Sequence, residues 1–484
     1  MMIHRLSVKI EVRRPLARGS TPIAQKDQNF RGKSMPELNL ESFSLSNGMQ
    51  VLLHRQPTVH RVSILLNIRS GSTDERLFGT AHMLEHLMFR GTKSLPSFGA
   101  ISEAFELYGA DFNAFTAREV TGFDIGLPAE SLAPVLALLG DVMCHAKLTG
   151  IAGERNIIRE EILADYDDDG SLINVDDLLV SLFYGDAGHP IAGNIEDLEK
   201  ISSKEVRAFY EAHYAADNML LVCTGALPPT ETLKTMAESA LSCIPPQSHR
   251  WERRKMPSLY ANQASKPTPR LHIKAYDGAT QSDLSLGFLF GSPNSPQLPA
   301  LECLVRILDD GMASRLTRKL VEDLAIVYDV EAYLTSLQDT TLLQIRTSCR
   351  HKRVLRVIEA IYDILTDIAQ NGVTTAELAR IKKRIVWEHE DLCDGVTRLS
   401  QWLSTMQLQG LDCDIETRCK TLCAVECEAI RQLAQNALES LPHIVAIVGD
   451  IGEKLAADIQ KGIQEKTKRV FDLTYDASEK EDEN

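Results

Sequence analysis

Two stretches of this chain, 220 residues apart, carry the same landmarks, and that repeat limits the fold more than any other feature. Gly71-Ser72 recurs as Gly291-Ser292, Gly91 as Gly311 and Tyr108 as Tyr328, at one spacing without a gap. Late in each half, the run ending Cys223-Thr224-Gly225 recurs as Ile447-Val448-Gly449. Each copy mixes strand-like alternation with helical periodicity, so the expected fold class is α+β, with two duplicated α/β domains. Ile244-Pro245-Pro246 through Lys266-Pro267-Thr268-Pro269 is Pro-rich, basic and aperiodic, which marks a linker. The expected division is a basic arm at 1–35, a first domain at 36–243, the linker at 244–269, a second domain at 270–465 and an acidic, disordered tail at 466–484.

Local patterns fill in the first domain. Phe43 to Leu53 reads as strand, Asn47-Gly48 turn and strand, and Val62 to Ile68 as a mostly buried strand. Phe98 to Tyr108, Ser131 to His145 and Gly153 to Asp167 read as helices.

The net charge of −15 over 484 residues argues against nucleic acid as the main partner, because no basic stripe lies outside the termini. Peptides, basic ones in particular, suit an acidic interior. No window approaches eighteen uninterrupted apolar residues, so no membrane span is expected. Ten scattered cysteines without a small-domain framework favour a reducing compartment and hence the cytoplasm. Cys419, Cys423 and Cys427 read as one buried helical stripe. The basic arm is a disordered segment, an upstream extension of a chain starting functionally at Met35, or an organelle transit peptide, which would move the location to an organelle matrix. The first two are favoured.

The chemistry is concentrated in Gly79 to Phe89, where two imidazoles and a carboxylate interrupt an apolar helical pattern. His82 and His86 are four apart, which on a helix puts their Cβ atoms about 5–6 Å from each other. One metal ion can then take a nitrogen from each. Glu85 shares that face, placed to take a proton from water, which is the inverted zincin arrangement H-x-x-E-H. A third ligand comes from the helix-like run Gly153 to Leu163, where Glu154 and Glu161 lie seven apart and nearly on one side. Glu161 is assigned as the third ligand and Glu154 as an auxiliary carboxylate. Three glutamates gathered without a cation would repel and shift their pKa values upward, so the cluster makes sense around a divalent ion. At the 220 spacing, His82, Glu85 and His86 fall on Glu302, Val305 and Arg306, which cannot build such a site.

His82-Met83-Leu84-Glu85-His86, followed about seventy-five residues later by the Glu154–Glu161 helix, resembles the pitrilysin family of zinc metallopeptidases, and within it the mitochondrial processing peptidase branch. The resemblance runs from about Leu38 to about Glu465. It implies one zinc ion per chain on His82, His86 and Glu161, Glu85 as general base and Glu154 in support. It also implies two domains facing each other across a cavity, and endopeptidase action on peptides or unfolded protein segments. Asn113, Ala114 and Phe115 match an edge strand that pairs with extended substrate. In the family, an Arg and a Tyr seven apart in the second half grip the substrate and the developing oxyanion. Tyr328 matches, but Val321 stands where the Arg belongs, with Arg318 one turn away. The expected assembly is a homodimer, or a heterodimer whose paralogous subunit supplies the missing cation. A non-catalytic assembly subunit is the alternative from another class. His189, in a Gly-rich loop, reads as structural.

Overall fold

Val62, Ile64, Leu66 and Ile68 face one apolar cluster while Leu65 faces another, so the strand they share is covered on both sides. That requirement sets the architecture. The computed structural model describes residues 38–167, 169–246, 268–469 and 471–476. The basic arm and most of the expected linker lie outside them.

The first sheet contains β1 (Leu40–Ser44), β2 (Gln50–Arg55), β3 (Arg61–Ile68), β4 (Asp111–Thr116), β5 (Thr121–Pro128) and β6 (Met219–Gly225), in the order β1-β2-β6-β3-β5-β4. The β1–β2 hairpin closes over the expected turn, with Ser44 opposite Gln50 and Gly48 at φ +90°. Its helices are α1 (Thr80–Met88), α2 (Phe98–Leu107), α3 (Leu132–His145), α4 (Ile151–Leu163), α5 (Val175–Tyr184), α6 (Ile195–Lys200), α7 (Ser203–His213) and α8 (Thr230–Leu241).

The second sheet contains β7 (Arg270–Ala275), β8 (Ser282–Phe290), β9 (Val330–Ser336), β10 (Thr341–Cys349), β11 (His443–Gly449) and β12 (Asp472–Asp476). Its order is β12-β7-β11-β8-β10-β9. The helices here are α9 (Leu298–Leu308), α10 (Val354–Asn371), α11 (Thr375–Leu392), α12 (Val396–Gln409), α13 (Ile415–Cys423), α14 (Cys427–Glu439) and α15 (Glu453–Thr467). The repeat read from the sequence is therefore architectural: β3, α1, β4 and β5 map onto β8, α9, β9 and β10.

The halves are interlocked by an exchange of helices. Leu179, Phe183 and Tyr184 of α5 pack with Leu289, Leu342, Ile444 and Ala446 of the second sheet. In return, Leu399 and Leu403 of α12 pack with Leu52, Leu65, Leu220 and Val222 of the first. At the 220 spacing α5 falls on α12, so the exchange is itself part of the duplication. Arg346 reaches Asp176 at 2.8 Å, and Thr224 Oγ1 donates to the carbonyl of Val396 at 2.7 Å. A buried Leu or Phe contributes about 1.5–3 kcal/mol and a hydrogen bond about 0.5–1.5 kcal/mol, so apolar packing dominates the interlock.

Four expectations need correction. The boundary at 243 divides the repeat but not the packing, because α5 covers the second sheet. The tail from 466 is not wholly without structure: α15 reaches Thr467, and β12 protects the open edge of β7 with Leu473 and Tyr475 facing the core. Cys144 and Cys243 form a disulfide, which corrects the expectation of fully reduced cysteines on which the cytoplasmic placement rested. Cys427 opens α14 instead of extending the stripe of Cys419 and Cys423 on α13. No helix among the described residues is long and apolar enough to cross a membrane.

The ring of Phe183 lies where a Cβ on Gly287 of β8 would sit, 2.6 Å from its Cε2. Phe183→Ala should therefore cost about 3–5 kcal/mol, although Phe183 belongs to the first half. Calorimetry should record one unfolding transition shifted down as a whole; a first-half transition that moves alone contradicts the interlock.

Candidate metal centre

α1 is buried almost all round, with Ala81, Met83, Leu84, Leu87 and Met88 fully covered. Its two imidazoles, His82 and His86, meet carboxylates of α4. Gly79 begins the helix at φ +93°, where a Cβ would also meet the carbonyl of Ala192 at 2.5 Å. α4 starts at Gly150 (φ +92°) and buries Ile151, Ile158 and Ile162, with Glu154 among them only 2% exposed.

The two helices bring together the residues the sequence nominated. His82 Nε2 and His86 Nε2 are 3.2 Å apart, and Glu161 Oε2 is 3.6 Å from His82 Nε2. One ligand atom from each of the three falls within 4.8 Å of the others. Tetrahedral zinc with nitrogen ligands at about 2.0–2.1 Å separates them by about 3.3 Å, so the paired nitrogens fit. The donor set, two imidazoles and a carboxylate, also suits zinc.

Around this cluster the charges are arranged in sequence. Glu154 Oε2 accepts from His86 Nδ1 at 3.0 Å, which leaves the His86 Nε2 lone pair facing the ligand cluster. Glu154 Oε1 is held by Arg90, just beyond the end of α1. His82 has no such backing, since its Nδ1 is buried without a partner among the described residues. Burial and the neighbouring His86 push His82 down to about 3, which keeps its ring neutral and able to donate a lone pair. Burial lowers His86, but the bond to Glu154 and the charges of Glu85 and Glu161 outweigh it and raise its pKa.

The expectation that all three carboxyls shift upward holds for two. Burial raises Glu85 and Glu161. Glu154 shifts down instead, because its bonds to His86 and Arg90 more than offset its burial. Arg90 escapes a reading of the sequence because one arginine after a helix carries no signal of its target. Thr116 escapes it for the same reason: its Oγ1 donates to Glu85 Oε2 at 2.9 Å.

The residues expected to pair with substrate divide between two faces. Ala114 and Phe112 pack toward the helices, with the Phe112 ring against Phe89 and Phe105. Asn113 is exposed, and Phe115 turns to the opposite face, across Gly122 and toward the α12 cluster. Tyr328 is 85% exposed, and among the described residues no contact joins it to the ligand cluster. Arg318 is also exposed, on a π-helical segment at Thr317–Asp323. His189 is structural as expected, stacked on Phe78 and bonded to the carbonyls of Ser72 and Pro190.

In the second half, ion pairs take the corresponding places. Glu302 pairs with Arg418, and Arg306 with Glu388 at 2.6 Å. The buried positions 151, 154, 158 and 162 of α4 recur as 378, 381, 385 and 389 in α11, which sets Glu388 at the place of Glu161. A guanidinium–carboxylate pair thus stands where His86 and Glu161 meet in the first half.

Fold and site together define a duplicated α+β protein with one metal-competent half. Residues 50–185 match the family described as Insulinase (Peptidase family M16), and residues 200–385 the Peptidase M16 inactive domain. The chain belongs to this family, the pitrilysin or M16 zinc peptidases. An uncharacterized zinc protease of Mycobacterium tuberculosis is 27% identical over 421 residues, covering 85% of this chain and 93% of that one. The uncharacterized zinc protease YmxG of Bacillus subtilis is 27% identical over 355 residues, covering 72% and 82%. Among solved structures, a protease from Helicobacter pylori has a TM-score of 0.76 at 18% identity, covering 86% of this chain and all of that one. The first half of the periplasmic protease PqqL from Escherichia coli has a TM-score of 0.70 at 20% identity, covering 90% and 98%.

Glu154→Gln should keep the fold and weaken zinc binding about 10–100-fold, since it removes the charged acceptor behind His86. Competition with a chelating dye measures this. Unchanged affinity would show that Glu154 has no part in holding the ligand.

Proposed function

We propose that the chain is a zinc endopeptidase, with one zinc per chain, that takes peptides or unfolded protein segments as an added strand along β4. The bond from Thr116 Oγ1 to Glu85 Oε2 carries this reading, because it ties the carboxylate beside the ligand cluster to the last residue of a sheet-edge strand. Among the described residues β4 pairs with β5 on one side only, which leaves its other row of N–H and C=O groups for an extended chain. Asn113, Ala114 and Phe115 contribute main-chain groups to that pairing, which accepts peptides of almost any sequence. Phe112, Ala114 and Thr116 face the helices, so a strand beside them runs past Glu85.

Zinc bound by His82, His86 and Glu161 supplies Lewis-acid polarisation of water and carbonyl. Glu85 keeps Oε2 on Thr116 and uses Oε1 to take the proton of the attacking water, then returns it to the leaving amine. Glu154 holds the His86 ring in the tautomer that leaves Nε2 free. Val321, the exposed Arg318 and the exposed Tyr328 support a second reading, in which another copy or a paralogous subunit completes oxyanion stabilisation. The ligand set counts against a purely structural subunit.

Glu85→Gln should retain stoichiometric zinc and lose about 10²–10⁴-fold in kcat on a quenched peptide panel. An unchanged rate removes Glu85 from the mechanism. Brisk turnover by the isolated, monomeric parent chain rejects the need for a second subunit.

A further inference from the structure

Glu75 lies in the connection between β3 and α1, its side chain fully covered. Both of its oxygens meet the first turn of the metal-bearing helix: Oε1 accepts from Gly79 N at 2.6 Å and Oε2 from Ala81 N at 2.7 Å. Gly79 has no side chain to cap this helix, so Glu75 satisfies N–H groups left open by the helical hydrogen-bond pattern. Burial pushes the Glu75 carboxyl well above the usual range, against the pull of these two N–H groups. The positive end of the helix dipole acts in the same sense as the N–H groups, favouring the carboxylate. The His189 imidazole shares this environment, its Nε2 3.3 Å from Glu75 Oε1.

The same cluster reaches the substrate strand. Thr73, two residues before Glu75, donates through N and Oγ1 to the carbonyl of Arg118, at 2.9 and 2.8 Å. Arg118 lies in the β4–β5 connection, directly after the edge strand. Its Nη1 donates to the carbonyl of His189 at 2.6 Å, and its Nη2 reaches Asp177 of α5 at 3.1 Å. One buried polar chain therefore links the start of α1, the end of β4 and the exchanged helix.

We propose that Glu75 is a positioning residue for the metal centre: by fixing the first turn of α1, it sets His82 and Glu85 against α4 and against the end of β4, without touching metal or peptide. The proposal rests on the peptidase reading only for its effect on hydrolysis; its effect on metal binding stands apart. Glu75→Gln replaces one acceptor oxygen by a donor facing an N–H group, so the helix start must shift. Glu75→Asp keeps the carboxyl and shortens the reach.

The test uses the full chain, with folding checked by circular dichroism, zinc affinity by competition with a chelating dye, and kcat and KM on the peptide panel. Glu75→Gln should bind zinc about tenfold more weakly and lose a similar factor in kcat, with KM within about twofold of the parent. Glu75→Asp should recover part of both. A folded Glu75→Gln chain with parental zinc affinity overturns the proposal, whatever its activity. Should Glu75→Gln fail to fold, Glu75→Asp decides in the same way: weakened zinc binding supports the proposal and parental affinity overturns it. A parent that binds zinc but cleaves no peptide overturns the reading in which this chain acts alone and leaves the zinc comparison intact as the test of Glu75.

Discussion

The hydrogen bond between Glu154 and His86 is the interaction on which the rest of the site depends. An ionised carboxylate 2% exposed is costly to bury unless its lone pairs are met. His86 meets one oxygen and Arg90 the other, so the charge is both neutralised and aimed. That pairing pins α4 to α1 at the level of the ligands and selects the nitrogen that His86 presents. Without the arginine, Glu154 becomes a third like charge beside Glu85 and Glu161 with one partner fewer. Arg90 thereby sets Glu154, whose pKa falls, apart from Glu85 and Glu161, whose pKa values rise.

The duplicated half shows what the scaffold does when those ligands are absent. α9 and α11 approach as α1 and α4 do, but Arg306 and Glu388 meet between them. A guanidinium brings its own positive charge, so no external cation is needed to hold the helices together. The two halves solve one electrostatic problem in two ways, and only the solution with two imidazoles supplies ligand atoms for a metal. The exchange of α5 and α12 then prevents either half from packing independently.

What the sequence makes legible follows the range of the interactions. The Asn47-Gly48 hairpin and the i, i+4 histidines are local, so their spacing is enough. Glu161 can be picked out because a seven-residue interval returns a helix to nearly the same face. The repeat exposes the second domain because both copies preserve their turn glycines. Arg90, Thr116 and Glu75 act across tertiary contacts, and nothing in their neighbouring residues names their partners. The destination of α5 is hidden for a related reason: an amphipathic face records that it is buried, not which sheet buries it. α4 stops at Leu163, short of the expected Asp167, because the chain turns there, with Asp165 accepting from Asn174 Nδ2 at 3.0 Å. The strand β12 is masked by an acidic composition that describes its exposed residues and not the alternating Leu473 and Tyr475.

Edge strand and Glu85 are joined by a single side chain, Thr116, and under the proposed peptidase reading this separates two kinds of selectivity. A peptide added to β4 is registered by main-chain bonds, which repeat every two residues and do not by themselves choose a bond to cut. Thr116 ends the strand and holds Glu85, so on the proposed peptidase reading the place of cleavage is set by distance from the end of β4. Side-chain preference must then come from surfaces beyond the strand, such as the exposed Ile157 one helical turn before Glu161. On that reading cleavage position and sequence preference belong to different parts of the fold, and one can change without disturbing the other.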